Sequence, residues 1–141
     1  MRKTGSVMTT SPKQELGPNQ RAWIAALRSG EYKQGKHALH AIESQTMCCL
    51  GVACAIRGLA GVDRGNNIEG IGRVMEYDGF CTEAPDAVKE GLALRSSVGD
   101  FAGEYPNNAD CLTQANDRGA TFKEIADFCE AHPKAVFTKP A

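Results

Sequence analysis

Met47-Cys48-Cys49-Leu50-Gly51-Val52-Ala53-Cys54-Ala55-Ile56 is a ten-residue stretch that carries no charge and holds three of the six cysteines in the chain. Polar and charged segments flank it on both sides. A run this long and this apolar predicts a helix buried on several faces, from about Cys48 to Leu59, with the other elements packed round it. Gly58 and Gly61 stand near its end. Gly51 inside it costs a helix about 1 kcal/mol relative to alanine, which predicts a close helix packing at that point.

The rest of the chain must supply what surrounds this core. At 141 residues, with 42% hydrophobic and 23% charged residues, the chain has ordinary globular proportions. It is long enough to bury a core without covalent staples. No apolar run reaches the 18 residues a membrane helix needs. The basic start, Met1-Arg2-Lys3-Thr4-Gly5-Ser6-Val7, lacks the apolar region of a signal peptide, so a cytoplasmic location is expected. There thiols stay reduced, and the six cysteines read as small buried hydrophobes rather than as a disulfide framework. The net charge of −1 is unevenly spread: residues 1–40 carry seven Lys or Arg against two Glu, and the remainder nine against fifteen acids. The simplest reading is that the two halves partly neutralise each other in the fold. A nucleic-acid partner is not expected, because no basic stripe accompanies the asymmetry.

Along the chain, residues 1–18 show no periodicity and read as a flexible leader, with 19–141 as a single globular domain. Asn19 looks like the N-cap of a helix running to Ser29, with Trp23, Ile24 and Leu27 on its apolar side and Gly30 as its stop. Two short strands are expected around the polar turn Glu43-Ser44-Gln45, and one or two more between Ile68 and the Asp78-Gly79 turn. Ala84-Pro85-Asp86-Ala87-Val88 opens a short helix with proline in its first turn. Pro106-Asn107-Asn108 is expected to cap another, carrying Leu112 and Ala115. Thr121 and Glu124 form a capping box for a last helix, which His132-Pro133 ends, and the turn Asn116-Asp117-Arg118-Gly119 makes an αα-hairpin. The expected fold is α+β: about five short helices around the buried central one, with a small antiparallel sheet.

With these segments placed, the chain resembles a family of small hypothetical proteins encoded by tailed phages and prophages. The resemblance is carried by Trp23 to Gly30 with Tyr32-Lys33-Gln34-Gly35, by Cys48-Cys49-Leu50-Gly51-Val52-Ala53-Cys54, by Ala84 to Val88, and by a closing hairpin from Leu112 to Asp127. The chain departs from the family pattern at Ala55, where an acidic residue is the rule, and at Ala115, where a bulky one is. The resemblance implies a phage or prophage origin and transfers no activity.

A few residue sets could carry chemistry. Cys48 or Cys49 lies where a helix begins, a position that lowers a thiol pKa. Gln34-Gly35 could then supply an oxyanion donor, His132 a base and Asn116 its orienter. Cys49 and His132 are thus the candidates for catalysis, and a packed thiol is the competing reading. Cys129 and His132 have the spacing of a zinc-ligand pair, with Cys48 and Cys49 as another, but the usual second CxxC is missing. His37 and His40 form a second, looser metal pair. Gln34, Lys36, Arg73, Asn116 and Asp117 could line a polar ligand pocket, although Asn-Asp and Gln-Gly are also ordinary turn chemistry. No Gly-rich phosphate loop is present, and neither a cofactor nor a metal is expected.

The expectation that follows is a phage or prophage accessory protein that works by binding. Its partner would be a host or phage protein or a small molecule, with antagonism of a host defence as one use and homo-oligomer formation left open. The alternative is a small cysteine-dependent or zinc-dependent enzyme.

Overall fold

A computed structural model describes residues 15–103 and 108–141. The first fourteen residues of the expected leader, and Pro106 and Asn107 of the expected cap, lie outside the described residues. The fold is α+β, with six helices and two two-stranded antiparallel sheets among the described residues, where one small sheet was expected.

Helix α1 spans Pro18–Arg28, and its cap is Gly17, two residues ahead of the expected Asn19. Proline suits the first helical position because its fixed φ is already helical and its missing N–H would have had no partner. The Gln20 side-chain oxygen accepts from the Gly17 N–H at 2.9 Å. The backbone oxygen of Ala141 accepts from the N–H groups of Asn19 and Gln20. The Asn19 side chain is drawn away instead to the carbonyl of Gly91, at 3.0 Å. Gly30, with φ of 78°, stops the helix as expected.

Strand β1 (His40–Ala41) pairs with β2 (Thr46–Met47) across the expected turn, with His40 opposite Met47. Helix α2 follows at Cys49–Ile56, capped by Cys48. It is shorter than the apolar run implies, because Gly58 takes φ of 76° and turns the chain out of the helix before Leu59. Six of its eight residues, Cys49 to Cys54, are buried. It packs against α1 on one side, where the Trp23 indole N–H donates to the carbonyl of Cys49 at 2.9 Å. Trp23 and Leu50 are both fully buried. Each side chain of this kind contributes about 1.5–3 kcal/mol of hydrophobic stabilisation.

The second ribbon is β3 (Asn67–Ile68) with β4 (Gly72–Arg73), and a bridge between Ala41 and Val74 joins it to the first. Helix α3 (Asp86–Leu92) has Pro85 as its cap and also packs on α2. Helices α4 (Leu112–Asp117) and α5 (Phe122–Ala131) form the expected hairpin, with Gly119 at φ of 105° between them. The Thr121–Glu124 capping box is present in both directions. A short α6 (Pro133–Val136) then brings Phe137 edge-on to Trp23, with ring centres 6.2 Å apart. No helix among the described residues is long and apolar enough to cross a membrane.

Candidate functional site

Two amides, Asn116 buried and Gln34 half-buried, lie where the N-termini of α2 and α5 meet the loop after α1. A helix start leaves backbone N–H groups without intrahelical partners, and here side chains from distant segments supply them. Asn116, in the last turn of α4, is fully buried. Its oxygen accepts from the Cys49 N–H at 3.1 Å and from Gln34 Nε2 at 2.9 Å. Its Nδ2 donates to the Gly35 carbonyl at 2.8 Å and to Asp117 Oδ1 at 3.2 Å. Gln34 spends its second amide proton on the Ala120 carbonyl at 2.8 Å and accepts from the Phe122 N–H at 3.0 Å. Asn116 has thus used its full hydrogen-bonding capacity, and Gln34 both of its amide protons. Their expected role changes accordingly: Gln34 has no amide proton free to hold an oxyanion, and Asn116 is not free to orient a base. They fasten α2, the α4–α5 hairpin and the 33–35 loop together.

Asp117, beside this hub, does reach a surface. Its Oδ1 accepts from the His37 backbone N–H at 2.9 Å, and its Oδ2 lies 3.3 Å from His37 Nδ1. The pair stands at one side of a cleft of about 210 Å3. Ala38 and Val98 give it apolar walls, Thr82 and Thr113 add hydroxyls, and Cys48 and Glu83 complete the lining. Of the five expected pocket residues, only Asp117 lines it. Lys36 is exposed and not part of the lining. Arg73 lies on β4 with its guanidinium 3.1 Å from Asp63. His37 and His40 diverge: His40 Nδ1 is 3.0 Å from the Tyr77 hydroxyl.

The cysteine candidates separate in the same way. Cys49 is fully buried, with its sulfur 3.8 Å from the Leu112 carbonyl, and burial pushes its thiol well up. His132 does not meet it. Cys49 has no exposed surface, whereas His132, which follows the last residue of α5, is exposed. Its ring instead packs on Phe128, with centres 5.0 Å apart. Among the described residues no three His, Cys, Asp or Glu side chains converge as metal ligands. Burial pushes the Cys48 thiol up to about 11, the Cys54 thiol up to about 12 and that of Cys129 higher still. A thiol near 11 is about one-thousandth thiolate at pH 8, and only the thiolate attacks. Cys81 alone is not buried. Titration of the native protein with a disulfide reagent at pH 8 should therefore give one fast equivalent, lost in Cys81→Ser, and six equivalents in guanidinium. A fast second equivalent at Cys48 or Cys49 would contradict the packed-thiol reading.

Nothing local in the sequence points to Glu83 or Thr82, or to His37 as the partner of Asp117. These residues come together only through tertiary packing.

Set beside known proteins, residues 18–133 match the model of a domain of unknown function (DUF8296). That span runs from the first residue of α1 to the first of α6. No curated protein and no solved structure matches the chain.

Proposed function

Because the chain belongs to that family of domains of unknown function, we propose from its own residues that it is a binding protein, with a small polar molecule held in the cleft beside His37 and Asp117. The observation that carries this reading is the construction of the cleft. The amide hub bonds to Asp117, which in turn holds His37, and a preformed concave site with a few placed polar groups is the usual form of a ligand site. The motifs from Trp23 to Gly35, Cys48 to Cys54 and Leu112 to Asp127 support a phage or prophage origin. The protein then acts in the cytoplasm of the bacterial host as an accessory factor, with interference in a host defence as one use of such binding. A thiol enzyme has one observation on its side: Cys48, His37 and Asp117 line the same cleft. Against it stands the high pKa of that thiol.

The reading is tested by thermal melting with and without a small-molecule extract of the bacterial host. A ligand at a hundred times its Kd stabilises by about 2.7 kcal/mol, which is several degrees for a domain of this size. Mass spectrometry of material released on denaturation then identifies what was bound. An unmoved melting curve together with no released molecule would remove the reading.

A further inference from the structure

Tyr77 is buried, at 4% exposure, yet it carries a hydroxyl. Among the described residues that hydroxyl has one hydrogen-bond partner, His40 Nδ1, at 3.0 Å. The tip of the ring sits against the backbone of Gly61, where an added Cβ would lie 3.0 Å from the hydroxyl oxygen. A phenol keeps its proton at neutral pH and, when buried, needs an acceptor for it. Nδ1 is the acceptor at hand. It accepts only while it carries no proton of its own, so the bond fixes His40 as a neutral imidazole with its proton on Nε2.

The surroundings offer the charged form of His40 little. His40 lines a hollow of about 520 Å3 with Ile42, Gln45, Met75 and Asp63. Both oxygens of Asp63 already accept, one from the Gly65 N–H at 3.0 Å and the other from Arg73 at 3.1 Å. Glu76, beside Tyr77, is held by Arg64 and Asn66. Toward α2, the neighbour of Tyr77 is the Cys54 thiol, which burial and nearby Asp78 push up to about 12, so it is neutral. Burial holds the half-buried His40 imidazole below its usual value. A histidine whose folded pKa is lowered resists its proton. The stability that the neutral pair contributes is therefore present above about pH 6.5 and is lost as pH falls through the folded pKa.

We propose that His40 and Tyr77 form a proton-operated latch: neutral His40 accepts from Tyr77 and clamps β1 to the 74–77 segment, and a proton on Nδ1 releases it. That proton takes the place of the one Tyr77 was giving, and the buried hydroxyl is left without an acceptor. The clamp is otherwise thin. It consists of the Ala41–Val74 bridge, in which the Met75 N–H donates to the His40 carbonyl and the Ile42 N–H to the Arg73 carbonyl, each at 2.9 Å. Release reaches the cleft through the chain itself, because His37 and Ala38, just ahead of β1, line it. The latch stands without the binding reading above.

The test uses the full chain and NMR from pH 8 to pH 5. The expected result at pH 8 is the Nε2-protonated tautomer at His40, read from its imidazole nitrogen shifts, with a titration midpoint below the ordinary value of about 6.5. Tyr77→Phe keeps the ring and removes the donor, so the His40 midpoint should rise in it. Hydrogen exchange of the Met75 amide, corrected for the intrinsic rate, should become about tenfold faster through the His40 transition, the scale of one net hydrogen bond. The acceleration should be smaller in Tyr77→Phe. The tautomer and the exchange of the unaltered protein need no variant. An Nδ1-protonated tautomer at pH 8 would overturn the proposal, because Nδ1 would then be the donor. Met75 protection that does not change through the His40 transition would overturn it too, as would a midpoint unmoved or lowered in Tyr77→Phe.

Discussion

Asn116→Ala is expected to destabilise the protein by about 3–5 kcal/mol, read as a lower urea midpoint with an unchanged slope. The size follows from what the substitution strands. The Cys49 N–H, on a residue with no exposed surface, loses its acceptor. The Gly35 carbonyl loses its donor, and one Gln34 amide proton loses its oxygen. Each buried polar group left without a partner costs about 1–3 kcal/mol, and the small cavity left by the missing amide adds to it. A domain of this size has only about 5–15 kcal/mol in total, so the variant should melt about 10 °C lower or more. Asp117→Ala is the comparison. It lies on the adjacent residue, but its carboxylate is partly exposed and its side-chain partner is an exposed histidine, so a loss of about 1 kcal/mol is expected. If Asn116→Ala cost no more than Asp117→Ala, the hub would not be what holds α2 to the hairpin.

The elements whose signals are local were legible in the sequence. The Thr121–Glu124 box, Gly30 and Gly119 each act on a neighbour within a few residues, and each does in the fold what its chemistry predicts. The start of α1 was misplaced because Asn19, a good cap by type, has a more distant partner in Gly91. The candidate site failed for the same reason on a larger scale. Asn116 looks like turn chemistry because its own segment gives no hint of partners 67 and 82 residues away. Asp117 finds His37 at a separation of 80. The cysteines misled in the opposite sense. A helix N-terminus does face Cys48, but desolvation outweighs it and the thiol is raised, not lowered. Position along a helix is visible in a sequence, and depth below the surface is not.

Gly51→Ala should be at least as damaging, although helix propensity alone predicts a gain of about 1 kcal/mol. A Cβ built on Gly51 would lie 2.7 Å from the carbonyl carbon of Leu39 and well inside the contact distance of its oxygen. The glycine therefore does mark a close approach, but to the backbone just ahead of β1 rather than to another helix. That backbone cannot yield cheaply. The Leu39 N–H donates to the Cys81 carbonyl at 2.7 Å, the Ala38 carbonyl accepts from Cys48, and the His40 carbonyl accepts from Met75. Moving Leu39 breaks these contacts, and leaving it in place forces α2 away from its neighbours. Overpacking costs typically 1–3 kcal/mol where side chains can shift. Here both sides are backbone, so a net loss of about 4 kcal/mol or a failure to accumulate folded protein is expected. Gly58→Ala separates this effect from glycine replacement as such. Gly58 has open space around it and a φ of 76°, so its cost should be the 1–2 kcal/mol of a left-handed alanine. Soluble yield and urea unfolding of the two variants decide the matter: a Gly51→Ala protein as stable as its parent would mean that α2 does not seat against Leu39 as described.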